Sequence, residues 1–169
     1  PIFFLNNNLV FKDNCDGIFF KTFNINDNSF LKEVLSFNDK FIFNNLNIFL
    51  IINSLFYNKI NYFLFSDKSF KNTPLYILNF FDNSNDNLFY FTRNFLNINN
   101  CSNLNILNYR YNISENLFVN DNTSILIENK SNVNYLSLNE SKLNSFNSNS
   151  LYSKIYGGSF LTYNNHSFS

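Results

Sequence analysis

The sequence contains no alanine, glutamine, methionine or tryptophan, and its 169 residues include only 3 glycines, 2 prolines, 2 cysteines, 2 arginines and 1 histidine. Each scarcity excludes something. Cys15 and Cys101 lie far apart and form no metal-ligand spacing, so reduced thiols in a cytosol-like compartment are the expectation. The one histidine, His166 in NNHSFS, has no carboxylate or cysteine beside it, and a lone imidazole does not make a catalyst. The glycine pair Gly157-Gly158 sits between two extended segments, not in a phosphate-binding loop. Glu115, Glu128 and Glu140 stand singly and give no carboxylate pair for glycoside chemistry. Arg93 and Arg110 are the only arginines, and structural ion pairing accounts for them as well as ligand binding does.

Charge is scarce and balanced. Lys plus Arg and Asp plus Glu each number 12, without a run of either sign, so nucleic acid and anionic membranes gain no electrostatic support as partners. Long apolar runs are missing too. The richest segment, Phe41–Phe65, has Ile48–Ile52 as its longest unbroken run, whereas a spanning helix needs roughly 20 mostly apolar residues. No basic leader followed by an apolar stretch and a small-residue cleavage site is visible.

Asparagine and phenylalanine dominate, at 39 and 24 residues, as expected of a genome biased towards A and T. An Asn-rich chain can be disordered, but 45 % of this one is apolar and spread along its length, which disordered segments do not show. The chain is long enough to bury a core. It starts at Pro1 and its strand pattern still runs at Ser169, which leads us to expect a piece of a longer protein.

A degenerate repeat organises the second half. FLNINNCSNLNILN at 95–108 recurs as SILIENKSNVNYLS at 124–137 and as LYSKIYGGSFLTYN at 151–164, with offsets of 29 and 27 residues. Asn99-Asn100-Cys101-Ser102-Asn103 then falls on Glu128-Asn129-Lys130-Ser131-Asn132 and on Ile155-Tyr156-Gly157-Gly158-Ser159, and Cys101 becomes a turn position matching Lys130 and Gly157. Alternation resumes at Leu104/Ile106, Val133/Tyr135 and Phe160/Thr162. A strand–turn–strand unit of this length cannot bury its own apolar face, so copies stack into a β-solenoid.

Upstream, IFFL, LVFK and IFFKTF read as short strands around an Asp13–Gly17 turn that lacks the remaining ligands of a calcium loop. Helical spacing follows at Phe30, Leu31, Val34, Leu35 and Phe37, and again from Phe41 to Phe56. YFLF at 62–65 is a strand, Pro74 opens the strand LYILNFF, and the solenoid proper is expected near Phe89. The expected fold is mainly β, with residues 1–66 an N-terminal α/β segment and 67–169 the first part of a β-helix core.

The ordered segments resemble the SufB/SufD family. NIFLIINSLF at 47–56 is similar to a family helix, with Phe49, Asn53, Ser54 and Phe56 at its characteristic positions. DKSFKNTPLYIL at 67–78 resembles a proline-led strand, and TRNFLNI at 92–98 an Arg-Asn-led strand carrying Arg93 and Asn94. The block from Phe118 onward matches at Asn120, Ile125, Val133, Tyr135, Glu140, Ser141, Phe146, Ser159, Phe160, His166 and Ser167. Asn147 replaces a family histidine, LNYRYN at 107–112 stands where SufB has a cysteine, and the SufD branch fits better.

The resemblance implies a right-handed parallel β-helix and a non-catalytic scaffold that works with a SufB-like homologue and a SufC-like ATPase. Such complexes assemble iron–sulfur clusters for transfer to apoproteins, in a bacterial or endosymbiont cytoplasm or in a plastid. The family's interface residues are expected further along than Ser169, so no catalytic, cofactor-binding or metal residue is carried over, and His166 matches a position without a cluster role. No resident cofactor, nucleic acid or membrane is expected. The rival is a structural or carbohydrate-binding solenoid. It calls for a secretion signal and for aromatic or carboxylate ladders on one face, and the sequence displays neither.

Overall fold

A computed structural model describes residues 1–13, 17–24, 47–66, 74–83 and 88–168. These are mostly strand, with a single helix, and they form a parallel β-solenoid of about three turns. The strands are β1 Ile2–Leu5, β2 Asn8–Lys12, β3 Ile18–Asn24, β4 Lys59–Phe65, β5 Leu75–Phe81, β6 Phe89–Asn99, β7 Leu104–Asn112, β8 Phe118–Glu128, β9 Asn132–Ser141, β10 Phe146–Ile155 and β11 Phe160–Phe168; the helix α1 spans Ile48–Phe56.

Successive strands alternate between two sheets. One sheet has the order β11-β9-β7-β5-β1-β2 and the other β10-β8-β6-β4-β3. Every pairing from β4 and β5 onward is parallel, so the coil starts one turn before Phe89. At the N-terminal end β2 and β3 run antiparallel to β1 and β4 and close both sheets. No described strand pairs with the outer edges of β10 and β11.

Period-two alternation places the side chains. In β7, Leu104, Ile106, Asn108, Arg110 and Asn112 are all buried between the sheets while the residues between them are half-buried on the outside. The apolar part of the interior is Phe63, Phe65, Leu96, Ile98, Ile125 and Ile127 facing Leu104, Ile106, Val133 and Tyr135. Fully burying such a side chain contributes about 1.5–3 kcal/mol, and stacking supplies the burial no single turn could provide.

The first expected repeat offset matches the register: Phe95 lies beside Ser124 and Leu104 beside Val133. The second does not. Ser124 lies beside Tyr152 and Asn132 beside Phe160, an offset of 28 residues and not 27. Leu161 and Tyr163, not Phe160 and Thr162, therefore sit beside Val133 and Tyr135. A one-residue slip exchanges the two faces of a strand.

Turn geometry explains the difference. Gly157 and Gly158, at φ 43° and 73°, occupy the left-handed places of Asn129 and Lys130, at φ 53° and 56°. Ser159 then takes the place of Ser131, and Cys101 is the equivalent in the turn before. The Cys101 amide donates to Ser131 Oγ and the Ser131 amide to Ser159 Oγ, each at 3.0 Å. Cys101 thus aligns with two serines, not with Lys130 and Gly157, and is fully buried.

The opposite corner repeats the device with Ser145 Oγ accepting from the Leu117 amide and donating to the Ser114 carbonyl. With few glycines to spend on positive φ, the chain uses Asn6, Asn7, Asn100, Asn116, Asn129 and Asn144 there. Asparagine is the residue after glycine that tolerates this conformation best. Asn6-Asn7 makes the two-residue hairpin turn between β1 and β2.

The expected strands at the N-terminus are β1, β2 and β3. The expected helix with Phe30–Phe37, together with Cys15, lies outside the described residues. Of the next expected helix, from Phe41 to Phe56, residues 41–46 lie outside the described residues and the described part is α1, Ile48–Phe56, capped by Asn47 Oδ1 accepting from the Phe49 amide at 3.0 Å. No described helix is long and apolar enough to cross a membrane.

Replacing Asn129 tests the turn assignment. Asn129→Gly should leave stability within a few tenths of a kcal/mol of wild type, and Asn129→Val should cost about 1–2 kcal/mol because a branched side chain resists positive φ. Urea unfolding of the two variants measures both.

Candidate functional site

Two buried polar assemblies distinguish this solenoid from an oily one. The first fills the half of the interior that the apolar side chains leave. Asp121 on β8 is fully buried and takes four donors. Its Oδ1 accepts from Thr92 Oγ1 and from Asn94 Nδ2 (2.9 Å), and its Oδ2 accepts from Thr123 Oγ1 (3.1 Å) and Arg110 Nη2. Four donors saturate a carboxylate. Arg110 on β7 closes an ion pair across the gap between the sheets, and both partners are buried. Its Nη1 donates to Ser137 Oγ and to Asn139 Oδ1, both at 2.9 Å, on β9.

Amide ladders carry this centre outward rung by rung. Asn61 donates to Asn94 (3.1 Å), Asn79 to Asn108 (2.9 Å), Asn108 to the Tyr135 hydroxyl (2.6 Å), Asn139 to Asn165 (2.9 Å) and Asn112 to Asn147 (3.0 Å). Every solenoid strand from β4 to β11 contributes a member. Burial pushes the Tyr135 hydroxyl above the usual tyrosine range and shifts Tyr163 in the same direction.

The second assembly docks α1 on the outside of the five-stranded sheet. Asn53, fully buried, donates through Nδ2 to the Thr92 carbonyl (3.0 Å) and the Asn120 carbonyl (2.8 Å). Asn120 answers by donating to the Phe49 carbonyl at 2.7 Å. Phe49 packs against Phe146 with ring centroids 5.5 Å apart, and Phe56 against Phe91 at 5.3 Å. The Arg93 guanidinium lies 4.5 Å above the Tyr57 ring and is almost wholly buried. Phe49, Asn53, Phe56, Arg93, Asn120 and Phe146, which carry the family resemblance in the sequence, thus converge on one face. Asn94, the next such position, points the other way and belongs to the Asp121 network.

The remaining sequence candidates scatter. His166 is exposed on β11, and its carbonyl accepts from Asn139 Nδ2 at 3.5 Å. Glu140 accepts from the Tyr109 hydroxyl at 2.6 Å on the outer face of the six-stranded sheet. Glu115 is exposed and Glu128 half-buried, and the Cys101 thiol, within the apolar core, donates to the Asn99 carbonyl at 3.5 Å. Among the described residues no three of His, Cys, Asp and Glu cluster as metal ligands. Arg110 does form a structural ion pair.

The alternation missed Asp121, because the run Asn120-Asp121-Asn122-Thr123-Ser124 is polar on both faces and reads as a loop. An aromatic ladder, the feature that the rival carbohydrate-binding reading calls for and that the sequence did not display, is present on the outer face. Phe3 meets Phe80 at 5.1 Å, and Phe80 meets Tyr109 and Tyr111 at 6.0 and 6.2 Å, across three strands of the outer face. These residues lie too far apart in sequence to read as a set. Comparison with known families, curated proteins and solved structures returns no match for this chain.

Asn53→Ala should cost about 1–3 kcal/mol, since it strips two buried carbonyls of a donor, and urea unfolding reads the loss. Tyr109 titrates high, at about 12, because burial and then its bond to Glu140 favour the neutral phenol. Its folded value exceeds the unfolded one, so its contribution is complete below pH 10 and is lost as pH rises towards 12. Glu140→Gln should lower the Tyr109 transition in a spectrophotometric titration.

Proposed function

We propose that this chain is part of a non-catalytic scaffold subunit of a SufBCD-type complex, which assembles iron–sulfur clusters for transfer to apoproteins. The observation that carries the reading is the convergence of Phe49, Asn53, Arg93, Asn120 and Phe146, drawn from distant segments, on one buried joint between helix and sheet. Of the other matching positions, Ile125, Val133 and Tyr135 lie in the apolar interior, and Glu140, Phe160 and His166 are exposed away from this joint. The parallel solenoid agrees with the same reading.

The backbone edges of β10 and β11 carry no described neighbour, and Phe160, Phe168, Ile155 and Tyr156 are exposed there. An edge of this kind takes a further strand, of the same chain or of a homologous partner, through main-chain hydrogen bonds. The cluster is cargo of the assembled complex, built in a cytosol-like compartment, and no residue of this chain is assigned to it.

Co-expression of the full chain with SufB-like and SufC-like proteins from the same source tests the reading. A ternary complex that survives size-exclusion chromatography is the expected result. Three folded proteins that elute separately would overturn it.

A further inference from the structure

A pocket of about 260 Å³ opens where the β1–β2 hairpin meets the C-terminal end of α1 and the start of β6. Asn7, Asn8, Asn58, Lys59, Phe56 and Phe89 dominate its wall. We propose that it binds a neutral pyranose ring, a site independent of the scaffold role.

The chemistry of the wall selects this ligand class by elimination. Among the described residues no carboxylate lines the pocket, so this wall offers a cation no counter-charge. The one ammonium among the described lining residues, Lys59 Nζ, already donates to Asn8 Oδ1 at 2.7 Å, so on this wall an anion would find one shared charge and no fork of donors. What remains is amide and aromatic. Phe89 and Phe56 are 59 % and 62 % exposed, although hydrophobic packing would favour covering them. A pyranose has the complementary form. One face carries only C–H bonds and can lie on a phenyl ring, while its rim of hydroxyls both donates and accepts.

The polar groups are held ready for that rim. The hairpin turn is fixed by Asn6, which exchanges bonds with Asp82, and by Asn7 Nδ2 donating to the Phe91 carbonyl at 3.1 Å. Asn8 Nδ2 is held on the Asn6 carbonyl at 3.1 Å. Asn7 Oδ1 is an acceptor in a set position, the Lys59 ammonium has further N–H groups, and the exposed Asn58 amide supplies both a donor and an acceptor. Groups fixed before binding spare the ligand their ordering cost. The volume accommodates one ring and not an extended chain, so the ligand is a free sugar or the terminal residue of a glycan.

The test is a titration of the 15N-labelled full chain, following the side-chain amides of Asn6, Asn7, Asn8 and Asn58 by NMR. The probes are the methyl glycosides of glucose, galactose and mannose, N-acetylglucosamine, their disaccharides and, separately, inorganic phosphate. One or more sugars should give saturable shifts with a Kd of about 1–10 mM, the range of −4.1 kcal/mol and weaker. Phe89→Ala and Asn58→Ala, both at exposed positions, should each weaken binding about tenfold, and Phe160→Ala, on an exposed ring elsewhere, should not. Equal affinity for the mono- and disaccharide assigns the site to a terminal residue, and loss of the disaccharide assigns it to the free sugar. No saturable sugar response overturns the proposal, as do sugar shifts unaffected by Phe89→Ala and Asn58→Ala. Saturation by phosphate alone, abolished by Lys59→Gln, replaces it with an anion site.

Discussion

The Arg110–Asp121 pair is the interaction on which the rest of the interior depends. A charge buried in a solenoid is costly unless it is paired and its remaining valences are filled. Here Asp121 takes donors from β6, β7 and β8, and Arg110 returns bonds to β9, so the pair locks two strands of each sheet into a single register. A pure Ile/Leu interior would tolerate sliding between rungs. An arginine that must meet one particular aspartate does not. The asparagine ladders repeat the same constraint at lower strength on each neighbouring rung.

The composition bears on the same point. A chain without alanine or glutamine and nearly without glycine has to build corners and polar ladders from what it has, chiefly asparagine. The amide serves twice. Its tolerance of positive φ makes the turns at Asn100, Asn116, Asn129 and Asn144, and its paired donor and acceptor stacks along the coil wherever it faces inward. What reads in the sequence as bias without information is, at these positions, structural.

That double role also explains what could and could not be read from the sequence. The solenoid and its 29-residue step were legible because Leu and Ile alternate with polar residues in β7, and β4 and β5 read as short apolar runs, β5 opened by Pro74. The third rung was misplaced by one residue because Gly157-Gly158 looks like any small-polar turn, and only the left-handed geometry shared with Asn129-Lys130 fixes its place. Asp121 was illegible, since five polar residues in a row carry no period. The helix joint was half legible. Its residues were picked out by resemblance, but nothing in their order foretold that Asn53 would reach two strands at once.

If the interior pair holds the two sheets in register, its two members must be strongly coupled in energy. A double-mutant cycle with Arg110→Met and Asp121→Asn, read by urea unfolding, measures that coupling directly. The expected value is about 3 kcal/mol or more, with each single variant losing most of what the double variant loses, as for a buried pair in which one partner strands the other. A coupling below about 1 kcal/mol, the range of exposed ion pairs, would contradict the picture of a solenoid organised around its buried charge.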